Sequence, residues 1–279
     1  MSLPVPSALS PSKLSSFTSC ALQFRLANID RIPEPPTQAT SRGTLVHAAL
    51  EHLFTLPAEE RIPPVADECV DLAYAAYRDD PEWTDLDMDD ETEATMVAEA
   101  RRLVANEFLL EDPSAVTPMG IELKLEVEIG GLKLRGIIDR LDLVDGELVV
   151  TDYKTGRSPS DLHARSRMQG VHVYALMCEK FFGRRPIRVQ LLHLAEPVAV
   201  IAEPTEQSVR GLERRLHAVW SAVESACEAE DFRPRQSALC DWCSFQQWCP
   251  AFGGDPDRAA IDVGIRDRAE AGQEPLLRV

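Results

Sequence analysis

The chain has 279 residues, 44% hydrophobic and 27% charged. That composition excludes collagen-like, disordered and mini-protein classes and leaves one large domain or two small ones. No apolar run approaches the roughly 18 residues that span a bilayer, and no basic region precedes an apolar stretch at the N-terminus, so a cytoplasmic protein without membrane association is expected. The formal net charge of −17 argues against a nucleic-acid partner until it is partitioned. Residues 58–112 hold 18 Asp and Glu against 4 Lys and Arg, a local net of −14, which leaves −3 for the rest.

In chain order, residues 44–54 predict a helix. Residues 65–78 and 89–110 repeat apolar positions every three to four residues around a polar loop, which predicts a solvated acidic helical insertion, 56–115. Residues 121–129 alternate strictly: Ile121, Leu123, Leu125, Val127 and Ile129 are apolar, and Glu122, Lys124, Glu126 and Glu128 are polar. A strand with one buried face follows. Gly130-Gly131 and Asp145-Gly146 supply two-residue hairpin turns, so three consecutive antiparallel strands are expected up to Lys154. A helix at 161–182, a strand at 186–194, an edge-like segment from 198 and an amphipathic helix at 205–230 complete the pattern. The stretch 253–279 is rich in Gly, Asp, Arg and Pro and is expected as a flexible tail. From Lys154 to Arg188 the charge inverts, with Lys154, Arg157, Arg165, Arg167, Lys180, Arg184, Arg185 and Arg188 against Asp161 and Glu179. A near-neutral body with one basic stretch suits a DNA backbone.

Within the strands, Asp152 and Lys154 fall on one side and Tyr153 on the other, and Asp139 lies near the end of the neighbouring strand. Two carboxylates and an ammonium then converge. Hard divalent cations such as Mg2+ take oxygen ligands. They ease the deprotonation of water, while a lysine orients that water or stabilises charge on a phosphate. A lone Asp-x-Lys is more often structural, and Asp139 alone reads equally as a turn residue or a partner of Arg140.

Taken together and in order, these residues resemble the RecB family of PD-(D/E)xK nucleases. Gly43-Thr-Leu-Val-His47 resembles its upstream histidine motif and Gly136-Ile-Ile-Asp139 its first metal carboxylate. Asp152-Tyr153-Lys154 resembles the (D/E)-x-K triplet, and Glu122 the additional strand glutamate. The resemblance implies an α/β (α+β), restriction-endonuclease-like αβββαβ core, with Mg2+ or Mn2+ held by His47, Asp139 and Asp152 and with Lys154 at the reacting phosphate. Glu51, one helical turn after His47, is a candidate partner for it. The family's Gln-x3-Tyr signature is altered: Gln169 and Tyr174 have four residues between them and differ by about 140° around a helix. Gln169 remains a candidate site residue, and Tyr174 is not expected to share its face. Arg157, Arg165, Arg167 and Gln169 are candidate contacts to the DNA backbone.

Seven cysteines, an odd number, do not suit a disulfide framework in a reducing compartment. Cys240, Cys243 and Cys249 form C-x2-C-x5-C-P, a trio better explained by a soft metal than by packing. Zinc usually draws on two close ligand pairs, whereas a close trio needs one distant fourth ligand, for which Cys20 is the natural candidate. The set resembles the iron–sulfur subset of RecB-like nucleases, which includes the AddB nuclease domain and the CRISPR-associated adaptation nuclease. That resemblance implies a [4Fe–4S] cluster on Cys20, Cys240, Cys243 and Cys249, stapling segment 236–252 onto a single nuclease domain, 1–252. Cys69, Cys178 and Cys227 are expected as small buried hydrophobes, and Trp242 and Trp248 as shields of the cluster. The implied activity is phosphodiester hydrolysis leaving a 5′-phosphate, by a single-stranded DNA exonuclease acting in repair or recombination. DNA with free ends is the expected substrate, and a helicase or other repair protein the expected partner. Two rivals stay open: a catalytically silent DNA-binding scaffold subunit, and a zinc-stapled enzyme of unrelated activity.

Overall fold

The computed structural model describes residues 2–156 and 161–265, with backbone alone for 161–171. The chain forms two compact units, Pro36–Glu213 and a second built from Met1–Pro35 together with Arg214–Val279. In chain order the elements are α1 (Pro11–Ser19), α2 (Ala21–Phe24), α3 (Gln38–Thr55), α4 (Pro63–Tyr77), α5 (Pro81–Thr84) and α6 (Asp90–Leu110). Strands β1 (Pro118–Ile129), β2 (Leu132–Val144) and β3 (Glu147–Lys154) follow, then α7 (Asp161–Phe182), β4 (Arg188–His193), β5 (Val198–Ala202), α8 (Glu206–Ala229) and α9 (Ala259–Asp262).

The larger unit holds a five-stranded sheet in the order β1-β2-β3-β4-β5, antiparallel except for the parallel pair β3 and β4. Parallel neighbours need a crossover, and α7 supplies it. Both hairpin turns hold their two central residues in the left-handed region: Gly130 at φ 55° and Gly131 at 84°, Asp145 at 51° and Gly146 at 82°. That geometry matches the twist of the flanking strands and is why these dipeptides mark the turns. β3 lies in the middle of the sheet and is buried from Leu148 to Tyr153. The mixed α+β architecture and element order agree with the expected core.

Helix α3 starts at a reciprocal cap between Thr37 and Thr40. Its stripe Leu45, Val46, Ala49, Leu50, Leu53 and Phe54 packs against Cys69 and Val70 of α4, Leu103 and Val104 of α6, and Tyr153 and Leu192 of the sheet. The acidic insertion is therefore more than a solvated hairpin. Asp67, Glu68, Asp71 and Glu91 do face solvent, but the other side of the same helices builds the core.

The smaller unit has its own apolar core, including Leu22, Phe24, Leu26, Val223, Cys227, Phe245 and Trp248. Two expectations are corrected here. Residues 256–265 do not form a loose tail: Ala259 is fully buried, Arg25 pairs with Asp257 at 2.6 Å, and the Trp248 indole N–H donates to Asp262 at 3.0 Å. Composition could not reveal that a half-buried arginine and an indole would each recruit a carboxylate from this segment. The rest of the expected tail, 266–279, lies outside the described residues. Trp248 is buried in the core against which Cys243 and Cys249 pack, but Trp242 is 86% exposed, against the expectation that it packs over the cysteines. Cys69, Cys178 and Cys227 are buried, as small hydrophobes should be. Among the described residues, no helix is long and apolar enough to cross a membrane.

Candidate active site

The α3, β1 and β2 elements bring His47, Glu122 and Asp139 together, with one potential ligand atom from each lying within 4.8 Å of the others. His47 Nδ1 is 3.5 Å from Asp139 Oδ2 and 3.9 Å from Glu122 Oε1. Asp139 is set by the end of a ladder. The pairing of β2 with β3 stops at Arg140 and Thr151, and just beyond it Asp139 Oδ2 accepts the Tyr153 backbone N–H at 2.7 Å. A side chain thus takes over where the strand-to-strand bonds cease. Asp152 is 6% exposed, and its Oδ2 is ion-paired with the Lys154 ammonium.

Glu122 owes its place to an irregularity. Its neighbours pair as Ile121 with Arg140 and Leu123 with Ile138, which sets Glu122 across from Asp139. Its own φ is 45°, left-handed in the middle of a strand. Non-glycine residues pay about 1–2 kcal/mol for that conformation, and such strain clusters at functional sites. The turn separates Glu122 from the exposed row of Lys124, Glu126 and Glu128 and leaves its side chain half-buried beside His47.

The electrostatics follow from crowding carboxylates in a half-buried space. Burial, reinforced by the charge of Asp152, pushes the Asp139 carboxyl up to about 7, against the opposing pull of His47, the Tyr153 N–H and Lys154. Burial alone would depress His47, but the hydrogen bond to Glu122 and the charges of Asp139, Glu122 and Asp152 raise it above its ordinary value. A hard divalent cation fits this donor set, in which an imidazole and two carboxylates converge in a half-buried space.

The sequence profile of the PD-(D/E)XK nuclease superfamily matches residues 8–250. The chain belongs to this superfamily. It is similar to the Gene 69 protein of Mycobacterium phage D29, 26% identical over 266 residues that span 87% of this chain and 96% of that protein. The Gene 69 protein of Mycobacterium phage L5 is 31% identical over 135 residues, 47% of this chain and 44% of that one. Among solved structures, a candidate exonuclease from Eubacterium rectale superposes with a TM-score of 0.55 and 15% identity, covering 85% of this chain and 86% of that chain. That likeness is one of fold.

The geometry gives the superfamily's motif glycines a physical reason. A Cβ on Gly43 would meet Thr155 Oγ1 at 3.3 Å, so this glycine lets α3 approach the end of β3 and bring His47 to the carboxylates. A Cβ on Gly136 would meet the Tyr174 ring at 2.9 Å. Tyr174, which the altered spacing set apart, therefore packs beside the site. Burial and the charges of Asp152, Asp139 and Glu122 all raise its pKa. Angular spacing relative to Gln169 was the wrong measure, because α7 lies along β1 and β2 and brings Tyr174 to the sheet independently. Glu51 lines an open cleft of about 640 Å³ with His47, Glu122, Thr44 and Thr155. The side chains of Arg157, Arg165, Arg167 and Gln169 lie outside the described residues. Within the rest of the basic stretch, Lys180 pairs with Glu213, Arg185 with Glu179, and Arg184 donates to the Gly146 carbonyl. Sequence reasoning missed Glu107, a charge on the apolar stripe Met96, Ala100, Leu103 of α6, and with it the role of Arg140.

Two outcomes are expected. Glycine normally destabilises a strand relative to alanine, but at position 122 the order should reverse: Glu122→Gly unfolds at higher denaturant than Glu122→Ala, by about 1 kcal/mol. Chemical unfolding of the two metal-free variants checks this, and the usual order would show that the left-handed turn carries no cost. The second concerns pH. A carboxyl raised from 3.8 to about 7 binds its proton more tightly folded than unfolded, so metal-free protein loses stability as pH rises from about 4 to about 7. His47, also raised, acts in the same direction. Thermal unfolding in chelator should show a falling Tm across that window and a shallower slope in Asp139→Asn; a rising Tm would contradict the assignment.

Proposed function

We propose that the chain is a divalent-metal-dependent DNA nuclease of the RecB type, in which His47, Asp139 and Asp152 hold Mg2+ or Mn2+ with Glu122 alongside. The observation that carries this reading is the meeting of His47, Glu122 and Asp139 next to the Asp152–Lys154 pair, in a chain of the PD-(D/E)XK superfamily. When bound, the cation supplies Lewis-acid charge that eases deprotonation of the attacking water and neutralises the scissile phosphate. The chain's own residues do the rest. Lys154, anchored by Asp152 yet 38% exposed, directs its ammonium to the phosphate and stabilises the charge that builds as water adds to phosphorus. The bond to the 3′ oxygen breaks and a 5′-phosphate remains. Asp139, held by the Tyr153 N–H, and His47, held by α3, keep the donor set in place during the step.

Exonuclease action on single-stranded DNA or free ends, in cytoplasmic repair or recombination beside a helicase or other repair protein, follows the RecB resemblance. The solved structure of similar fold is described as a candidate exonuclease, which favours the exonuclease part of this reading alone. Arg157, Arg165, Arg167 and Gln169 are assigned to the DNA backbone on charge and position in the sequence. Asp152→Ala and Lys154→Ala should each lower Mn2+-dependent degradation of single-stranded DNA at least about a hundredfold. Degradation at the wild-type rate would overturn the mechanism.

We also assign a [4Fe–4S] cluster to Cys20, Cys240, Cys243 and Cys249, within the smaller unit. Several observations support this. All four are free thiols of intermediate burial. Burial raises the Cys243 thiol, a hydrogen bond with the Phe245 backbone lowers it, and the charges of Cys20, Cys240 and Cys249 raise it further. Backbone N–H groups of Arg235 and Ser237 donate to the sulfurs of Cys20 and Cys240 at 3.5 and 3.4 Å, the kind of contact that tunes such clusters. The cluster would tie residue 20 to residues 240–249 and so constrain the unfolded chain. Anaerobically purified protein should be brown with about four irons per chain, and Cys240→Ala should be colourless with a lower Tm. A colourless, zinc-loaded wild type would replace the cluster with zinc.

A further inference from the structure

On the other face of the strands that carry Asp139 and Asp152 lies a buried charge network that none of the motifs accounts for. Its hub is Arg140, 1% exposed. The guanidinium Nε donates to both carboxylate oxygens of Asp142, at 2.9 and 3.1 Å, and Nη2 donates to Thr151 Oγ1 at 3.3 Å. Nη1 donates to the Tyr153 hydroxyl at 2.5 Å and pairs with Glu111 at 2.5 Å and Glu107 at 3.4 Å. The Tyr153 hydroxyl in turn donates to Glu107 at 3.2 Å. The Phe54 ring covers the guanidinium at 4.2 Å and stacks on Tyr153 with centroids 6.4 Å apart.

These partners come from the elements that carry the site, together with α6. Arg140 is the covalent neighbour of Asp139 on β2, and Tyr153 sits between Asp152 and Lys154 on β3. Phe54 is on α3, the helix of His47, while Glu107 is on α6 and Glu111 caps its C-terminal end. Strand alternation turns Arg140 and Tyr153 away from the neighbouring carboxylates, and none of the network lines the cleft. As a source of stability, burying one arginine with three carboxylates is a poor choice, since apolar residues of the same volume often do as well. What the planar guanidinium adds is direction: its donors lie in a rigid fork, so partners on β2, β3 and α6 are fixed in angle as well as distance, where apolar contacts could slide.

We propose that Arg140 is a positioning residue for the metal site, fixing from behind the spacing of Asp139, Asp152 and His47 that a divalent cation requires. The inference rests on the assignment of those three residues as metal ligands. It separates the two roles of the motif strands: one face presents ligands, and the opposite face fixes the frame that holds them.

Mn2+ binding, measured by calorimetry on the full chain, tests it. Arg140→Lys keeps the charge but loses the fork, and Tyr153→Phe removes one hydroxyl from the hub. Val70→Ala makes a cavity in the same core away from the network. The expected result is a Kd for Mn2+ raised about 10- to 100-fold in Arg140→Lys and about tenfold in Tyr153→Phe. Both should unfold cooperatively, and Val70→Ala should bind like wild type despite its lowered Tm. Wild-type affinity in Arg140→Lys or Tyr153→Phe, or an equal loss in Val70→Ala, would overturn the proposal. If Arg140→Lys does not fold, Tyr153→Phe decides alone. A wild-type chain that binds no Mn2+ would instead refute the ligand assignment, and the inference with it.

Discussion

Like charges must be held together before this site can exist. Asp139, Asp152 and Glu122 point into one half-buried space, and the rise of the Asp139 carboxyl to about 7 reflects both burial and repulsion. The protein sets three devices against that repulsion, which the left-handed turn at Glu122 adds to. These are the Tyr153 N–H at the end of the ladder, the Lys154 ammonium and the His47 imidazole raised by its neighbours. None neutralises the set fully, and a divalent cation at the proposed site would supply the charge that remains wanting.

The surrounding architecture is arranged around keeping those groups in place. Helix α3 presents His47 to the cleft while its apolar stripe is locked into a core shared with α4, α6 and the sheet. The acidic insertion thus serves two purposes with two faces. Most of its carboxylates are exposed, and it accounts for −14 of the chain's net charge of −17, while its apolar stripes and Glu107 and Glu111 reach the back of the sheet.

The smaller unit joins sequence-distant segments through its own core. Phe245 and Trp248 alternate with the cysteines and pack inward, which gives the 236–252 segment an apolar anchor independent of any metal. The exposed Trp242 shows that proximity to a cysteine in sequence does not determine which way an aromatic side chain faces.

The hairpins, the α7 crossover and the Asp-Tyr-Lys triplet were legible from sequence because each depends on local rules: turn dipeptides with positive φ, apolar periodicity and strand alternation. The motif glycines were legible as a pattern, though their cause, close approach of Thr155 and Tyr174, needed coordinates. Tyr174, a possible site residue in the sequence, could not be placed by its angle to Gln169, because spacing along a helix says nothing about which surface that helix meets. Glu122 could be read either as the family's strand glutamate or as one of a row of exposed glutamates, since a left-handed backbone imposed by packing leaves no trace in the alternation. The network around Arg140 left one trace, a glutamate on the apolar stripe of α6. By itself the sequence determined which elements form and which chemical groups they carry. Only the tertiary structure decided which of those groups meet, because convergence of residues 47, 122, 139 and 152 depends on packing between distant segments and on strain that the whole fold must hold.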